Sequence, residues 1–231
     1  MTVKIYQGND HQLEPSDINI VIDVIRAFTV AHYAFLNGAK EILLVGTVDE
    51  AFKLKDMHPH YLLAGEVKGL AIEGFDLDNS PNRIASQRIE DRTLVQKTTN
   101  GVKATLHSLN ANAVFVTGFS NARTTASHIR DTAKSPGKEL QINIIASHPT
   151  SDDDLACAEY MKGIIEEREV LTANDVAERI RASQVAQKFF DASKPEFDCK
   201  DISFCTRELN GGFVMKVNKS NVIPTIERLE I

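Results

Sequence analysis

Short apolar runs rich in β-branched residues alternate along this chain with longer segments in which apolar residues recur at helical spacing. This alternation is typical of a largely parallel sheet covered by helices. The predicted strands span residues 18–24, 41–45, 61–64, 93–96, 113–117 and 141–146. The predicted helices between them span residues 27–37, 48–57, 102–109 and 121–134. The pattern therefore predicts an α/β fold.

The pattern changes after Pro149. Residues 152–168 and 174–191 predict two consecutive helices, with Thr172 as the N-cap of the second. The last segment contains a Gly-Gly pair followed by an apolar run at residues 213–217, which predicts a turn and an antiparallel strand at a sheet edge. No repeat or linker divides the sequence, so we expect one domain over residues 1–231.

Composition limits the classes of partner. Of the 231 residues, 42% are hydrophobic and 25% are charged, which is ordinary for a globular protein. The net charge of -6 argues against a nucleic-acid or anionic-membrane partner. The three cysteines lack the paired short spacings of a zinc site and are interpreted as reduced thiols. Because the chain has neither a signal-peptide pattern nor a run of roughly 20 apolar residues, we expect a cytoplasmic protein.

Polar side chains follow most of the predicted strands. The first strand ends in Asp23, with Arg26 close behind, and the third leads into Glu66 and Lys68. The later strands are followed by Thr98, Thr99, Asn100 and Gly101, by Ser120 and Asn121, and by His148 with Asp152, Asp153 and Asp154. Since ligands of open α/β sheets bind beyond the carboxyl ends of the strands, we expect these groups to meet at one edge.

That mixture of groups favours a metal ion together with an anion. Carboxylate oxygens are the ligands that Mg²⁺ prefers, and Arg26 can hold a phosphate, sulfonate or carboxylate through two parallel hydrogen bonds. Gly101 would let backbone N–H groups approach an oxyanion at the start of a helix. Each feature also has an ordinary structural explanation, because Asp23, the Thr-Thr-Asn-Gly turn and the acidic run could simply cap helices. Their convergence, rather than any one residue, indicates a site.

The loop after the third predicted strand is dense in Gly, Asp, Asn, Ser and Pro, which excludes an ordinary helix or a central strand. Phe75 and Leu77 offer apolar anchors within it. We therefore expect an ordered loop whose polar atoms line a binding crevice at the carboxyl ends of the strands, with Asn79 and Ser80 capping a helix that begins at Pro81.

Several motifs together resemble one known family. They are VIDVIRAFT at residues 21–29, GEVKG at 65–69, EGFDLDNSP at 73–81, TTNGVKA at 98–104, GFSNA at 118–122 and DDDLACAEYM at 152–161. In this order and spacing they are similar to the motifs of the 2-phosphosulfolactate phosphatase family. The resemblance implies a layered α/β/α fold with a mostly parallel mixed sheet, a homodimer, and a Mg²⁺-dependent phosphatase. The implied reaction converts (R)-2-phospho-3-sulfolactate to 3-sulfolactate, a step of coenzyme M biosynthesis in methanogens.

The motif match and the residues at the strand ends together define the candidate site. The candidate catalytic residues are Asp23, Arg26, Asp76 and Asn100. The candidate Mg²⁺ ligands are Asp23, Glu66, Asp76 and Asp153. The candidate substrate-binding residues are Lys68, Asn79, Ser80, Thr98, Thr99, Gly101, Ser120 and Asn121.

The chain departs from the family pattern at three positions. Val67 stands where the family commonly has arginine, Asp78 stands where it has glycine, and Phe28 partly replaces a serine or threonine. If Val67 and Asp78 face the pocket, attraction for a doubly anionic substrate weakens by about 1 to 3 kcal/mol. That loss would favour a different phospho-carboxylate as the substrate.

The sequence leaves the mechanism open. A carboxylate, Asp23 or Asp76, would either attack phosphorus or activate water. Residues 76–80 resemble the nucleophile motif of haloacid-dehalogenase phosphatases, but no long apolar strand precedes them. The glycine-rich nucleotide-binding motifs are absent. The non-enzyme alternative is a family member that binds a small phosphorylated acid without hydrolysing it.

Overall fold

The computed structural model describes residues 1–133, 139–168 and 171–231. The strands are β1 Thr2–Gln7, β2 Ile18–Ile22, β3 Glu41–Leu44, β4 Leu62–Val67, β5 Leu70–Ala71, β6 Thr93–Lys97, β7 Ala113–Thr117, β8 Gln141–Ala146, β9 Phe213–Asn218 and β10 Thr225–Glu230. The helices are α1 Ala27–Leu36, α2 Val48–Met57, α3 Pro81–Ile84, α4 Gly101–His107, α5 Ala122–Ala133, α6 Asp152–Ile165, α7 Ala173–Ala182, α8 Gln184–Gln187 and α9 Lys200–Cys205.

Helices cover both faces of a single mixed sheet. Within the described residues, the strands lie in the order β1-β8-β2-β7-β9-β10-β3-β6-β4-β5. Ile20 and Ile22 of β2 pack with α5 and α6, whereas Val21 packs with α1 on the opposite face. This alternation follows from the two-residue period of a strand. The predicted layered α/β/α fold is confirmed.

The C-terminal hairpin lies in the interior of the sheet. Strands β9 and β10 are antiparallel to each other, and they join the parallel group β1-β8-β2-β7 to the parallel group β3-β6-β4. The prediction of an edge strand at residues 213–217 was therefore wrong about position, although the antiparallel pairing was right. The error arose because the polar sequence of β10, TIERLE, does not look like a strand. In the structure, β10 pairs with β3 through Thr225 and Ile226.

Helix α1 lies against this inserted hairpin. Its residues from Ala27 to Phe35 are all buried, as expected for a helix that is apolar on every side. The same hydrophobic cluster contains Phe213 of β9 and Ile226 of β10. Because α1 begins just after β2, the packing of the hairpin also positions the residues that follow the first strand of the candidate site.

The C-terminal helical section differs from its prediction in two respects, the first being that the helix expected over residues 152–168 ends at Ile165. The expected helix over residues 174–191 is two helices, α7 and α8, because the extended backbone of Ser183 separates them. Thr172 caps α7 as predicted, in a reciprocal arrangement with Asp175. The break directs the chain after α8 toward the carboxyl ends of the strands. The predicted end of the helix over residues 121–134 falls at Lys134, outside the described residues.

Besides β10, the sequence did not predict strands β1 and β5 or helix α9. Among the strands of the described residues, β1 pairs with β8 alone at the edge of the sheet, and Val3 is its one buried residue, so β1 shows little apolar alternation. Helix α9 is short and lies in the segment after α8. Of the helices in the described residues, none has the length and apolar character that crossing a membrane requires.

We predict that Ile226→Ala lowers the free energy of unfolding by about 2 to 4 kcal/mol, because it leaves a cavity between the hairpin and α1. The Ile226 side chain is 0% exposed in the centre of the sheet. Urea denaturation with an unchanged slope is the measurement. Glu227→Ala, at an exposed position on the same strand, is the matched control and should stay within about 0.5 kcal/mol. If Ile226→Ala lowers the free energy of unfolding by less than about 1 kcal/mol, the packing of the hairpin against α1 contributes little to stability.

Candidate active site

A cavity of about 300 Å³ lies at the carboxyl ends of β2, β4, β6 and β8. We call it the crevice. Its walls combine acidic, basic and apolar side chains from the strand ends and from the helical section. The lining residues are Asp23, Ile25, Arg26, Glu66, Lys68, Gly69, Asn79, Thr99, Asn100, His148, Pro149, Val185, Lys188 and Phe189.

Asp23, directly after β2, is buried at the base of the crevice. Its Oδ1 accepts the Ala27 N–H at 2.9 Å, and its Oδ2 accepts the Gly101 N–H at 2.8 Å. Burial, together with the negative charges of Glu66 and Asp153, raises the pKa of Asp23 to about 7, although the two backbone hydrogen bonds oppose the rise. The carboxyl is therefore poised to exchange a proton near neutral pH.

Gly101 is required by this contact. A Cβ atom at this position would lie 2.7 Å from Asp23 Oδ2, which is closer than packing allows. The adjacent Thr98 is buried and caps α4, since its hydroxyl accepts the Val102 N–H at 3.0 Å. Thr98 and Gly101 therefore shape the crevice without lining it, whereas Thr99 and Asn100 line it.

Glu66 connects the loops that follow β4 and β6. Its carboxylate accepts the Thr99 N–H, the Thr99 hydroxyl at 3.0 Å and the Gly69 N–H. The side chain is only 5% exposed. Lys68 lies beside it on the exposed rim. These hydrogen bonds fix a second carboxylate in the crevice.

Arg26 is held in a defined orientation by groups that sequence reasoning missed. Its Nη1 donates to Asp201 Oδ2 at 2.9 Å, and its Nη2 donates to the Gly69 carbonyl at 3.0 Å. The guanidinium carbon lies 4.9 Å from the centroid of the Phe189 ring. Asp201 and Phe189 come from the C-terminal part of the chain, and no local motif marks them. Their contacts orient Arg26 toward the crevice.

The three aspartates that follow β8 differ in burial, because Asp153 and Asp154 are buried and Asp152 is not. Asp152 is paired with Arg179 outside the crevice. Asp153 is buried, its Oδ1 has no hydrogen-bond partner in the described residues, and burial raises its pKa to about 6. Asp154 accepts the Val24 N–H at 2.7 Å and the Ser147 hydroxyl at 3.0 Å, and burial raises its pKa well above the usual value. Asp154 thus supports the loop that carries Asp23.

His148 lines the crevice at the end of β8. Its Nδ1 lies 3.3 Å from the Thr150 N and 3.0 Å from the Ser151 N, so it accepts both N–H groups. The neutral ring consequently carries its proton on Nε2. Burial lowers the pKa of His148, and the charge of Lys188 lowers it further, so the neutral form prevails at neutral pH.

Besides Thr98, Gly101 and Asp153, which do not line the crevice, four further predicted site residues lie outside it. Asp76 is exposed, and its carboxylate binds Lys55 at 2.9 Å and the Leu63 N–H at 2.8 Å. Both bonds support the packing of its loop against β4, so we leave Asp76 out of the site. The others have buried structural partners: Ser80 caps α3 and donates to Asp201, Ser120 bonds with His32, and Asn121 donates to the Phe213 carbonyl. Asn79, from the same loop, does line the crevice.

The family departures also lie outside the crevice. The Val67 side chain is 39% exposed and is not among the lining residues. Asp78 is paired with Arg83 at 2.9 Å, which offsets its charge. The two changes therefore give no electrostatic reason for a different substrate.

The donor set of the crevice fits Mg²⁺. In the described part of the chain, no three His, Cys, Asp or Glu side chains converge into a complete metal cage. Mg²⁺ usually takes one or two protein carboxylates and completes its octahedron with water and substrate phosphate, so an incomplete oxygen set is expected. The raised pKa values of Asp23 and Asp153 and the unpartnered Asp153 Oδ1 indicate that the protein alone does not stabilise the ionised forms of these carboxyls.

Comparisons with known proteins agree with this geometry. The 2-phosphosulpholactate phosphatase family model matches residues 4–227. A Bacillus subtilis (strain 168) protein named "Probable 2-phosphosulfolactate phosphatase" is 62% identical over 231 residues, covering 100% of each chain.

Two further relatives carry the same name. The one from Clostridium novyi (strain NT) is 34% identical over 159 residues, covering 68% of this chain and 66% of its own. The one from Caldicellulosiruptor saccharolyticus is 44% identical over 110 residues, covering 48% and 46%. Because the family match spans nearly the whole sequence, this chain belongs to the 2-phosphosulpholactate phosphatase family of phosphoric monoester hydrolases.

Proposed function

We propose that this chain hydrolyses the phosphomonoester of (R)-2-phospho-3-sulfolactate to give 3-sulfolactate and phosphate, with Mg²⁺ as its cofactor. The observation that carries this proposal is the crevice, where buried carboxylates lie beside the cations Arg26, Lys68 and Lys188. Acidic groups suit a divalent cation, and the cations suit a substrate with several negative charges. The names of the relatives support the choice of substrate.

Asp23, together with either Glu66 or Asp153, would hold Mg²⁺, although Asp153 is not among the residues that line the crevice. Asp23 and Glu66 line the crevice, and the charges of both Glu66 and Asp153 act on the Asp23 carboxyl. When bound, the ion would neutralise negative charge on the phosphate. Its charge would also lower the pKa values of the same carboxyls and keep them ionised.

The remaining crevice residues would orient the phosphate. Arg26 and Lys68 supply positive charge for the oxygens that gain negative charge in the transition state. Asn100 precedes α4 and lines the same wall. His148 can donate a hydrogen bond from Nε2 to a substrate oxygen without carrying a charge. Asp23 would attack phosphorus or activate water, and both routes use the same buried oxygen atoms.

The homodimer that the resemblance implies and the cytoplasmic location that the sequence predicts are both kept as proposals. Light scattering of the purified protein would test the assembly, with a mass twice that of one chain expected.

The function predicts Mg²⁺-dependent phosphate release. We expect release from 2-phosphosulfolactate with Mg²⁺, at least tenfold slower release after EDTA treatment, and recovery when Mg²⁺ is restored. A panel of phosphorylated hydroxy acids would rank 2-phosphosulfolactate first by kcat/KM. Binding of the substrate without phosphate release under any metal condition would instead support the non-catalytic alternative.

A pair of carboxylate variants tests the site. We predict that Asp23→Asn lowers kcat on the order of a hundredfold or more, because the variant loses both the acid–base group and a metal ligand. Asp76→Asn is the matched control, and its kcat should change less than threefold since its carboxylate is bound to Lys55 outside the crevice. Steady-state phosphate release, with circular dichroism to verify folding, is the measurement. A near-normal rate for Asp23→Asn would remove this residue from the mechanism.

The raised pKa of Asp23 predicts a pH-dependent stability in metal-free buffer. The pKa of Asp23 rises to about 7 in the folded protein, whereas in the unfolded chain it is near 3.9. Between these two pH values, the folded state therefore keeps a proton on Asp23 that the unfolded chain has lost. The free energy of unfolding therefore falls as the pH rises through this window. Asp23→Asn cannot ionise, and between pH 5.5 and 8 its stability should fall by roughly 2 kcal/mol less than that of the wild type. Equal falls in urea denaturation would contradict the raised pKa.

A further inference from the structure

Lys188 is a cation on the crevice wall for which the described residues offer no carboxylate within 4.0 Å. Its ammonium lies 4.5 Å from the centroid of the Phe197 ring and 5.6 Å from that of Phe189. A Cβ atom at Gly69 would come within 2.8 Å of its Nζ, so the ammonium also packs closely against this backbone. The side chain is half-buried, and these contacts hold its charge in one place.

The other crevice cations have different surroundings. The charge of Arg26 is met by the buried Asp201 carboxylate at 2.9 Å, and Lys68 is exposed on the rim. Arg26 and Lys188 meet at Gly69, whose carbonyl accepts a hydrogen bond from Arg26 at 3.0 Å. Burial lowers the pKa of Lys188 and the charge of Arg26 adds to this effect, while the more distant charges of Glu66 and Asp153 oppose it. A half-buried cation without a directly paired carboxylate is costly unless a ligand supplies a closer negative charge.

We propose that Lys188 binds the acid group of the substrate that is not transferred, the sulfonate or carboxylate that remains on the product. This inference rests on the proposed function, in which the substrate carries acid groups besides its phosphate. The strand ends supply the carboxylates for the metal and the groups for the phosphate. Lys188 comes instead from the segment after α8, beyond the family-like motifs, which end at residue 161.

The competing explanation is that Lys188 only covers the two aromatic rings with its aliphatic stem. Methionine preserves an unbranched apolar stem and removes the charge, so Lys188→Met separates packing from anion binding. Lys188→Arg retains the charge. Lys200→Met removes an exposed lysine that does not line the crevice and serves as the matched control.

The test combines kinetics with equilibrium binding on the full chain. We expect Lys188→Met to raise the KM for 2-phosphosulfolactate at least tenfold while kcat changes less than threefold, and Lys188→Arg to restore KM to within threefold of the wild type. Calorimetry should show at least tenfold weaker binding of 3-sulfolactate to Lys188→Met, with binding of inorganic phosphate unchanged within twofold. Lys200→Met should match the wild type throughout, and thermal melting verifies that all variants are folded.

The outcomes separate cleanly. Weaker binding of 3-sulfolactate alone assigns Lys188 to the sulfonate, and an equal loss for lactate, which lacks the sulfonate, assigns it to the carboxylate. Unchanged binding of 3-sulfolactate, or an equal loss for inorganic phosphate, overturns the inference. A wild-type protein that releases no phosphate but binds 3-sulfolactate through Lys188 would refute the proposed hydrolysis and leave the inference standing.

Discussion

The burial of the Asp23 carboxylate is the constraint on which the rest of the site depends. Its two oxygens accept N–H groups from the beginnings of α1 and α4, so one side chain joins the loops that follow β2 and β6. Gly101 is tied to this geometry because any side chain there would displace the carboxylate. Two backbone hydrogen bonds do not offset the loss of water together with the charges of Glu66 and Asp153. A positive ion or a proton must therefore stabilise the buried charge of Asp23, which is the electrostatic basis of the proposed metal site.

The C-terminal part of the chain makes this arrangement possible. Hairpin β9–β10 joins the two parallel groups of strands, and α1 packs against it while leading away from β2. One group supplies Asp23 and His148, and the other supplies Glu66 and Asn100. The segment after α8 then adds Lys188 and Phe189, while Asp201 orients Arg26 from α9. The crevice is thus built from both halves of the sheet and closed by the chain that follows them.

The sequence predicted those features that depend on local pattern. The strand periodicity and the carboxyl-end rule placed Asp23, Glu66 and Asn100 together because parallel strands end at one edge. Asp76 was misplaced because its loop lies beside β4 and turns this carboxylate toward Lys55, a contact between residues 21 positions apart. Lys188 and Asp201 were missed because only tertiary packing brings them to the crevice. The hairpin was found as a strand, but its interior position depends on pairing partners that periodicity does not reveal.

The central claim is that carboxylates from separate strand ends share one divalent cation in the crevice. A crystal structure grown with Mn²⁺ and a phosphate analogue tests it most directly, since anomalous scattering locates the ion. The account predicts a single strong peak in the crevice, at coordination distance from oxygens of Asp23 and of Glu66 or Asp153, with the analogue beside it. An ion bound elsewhere, or a crevice in which these carboxylates contact only the protein, would contradict the account.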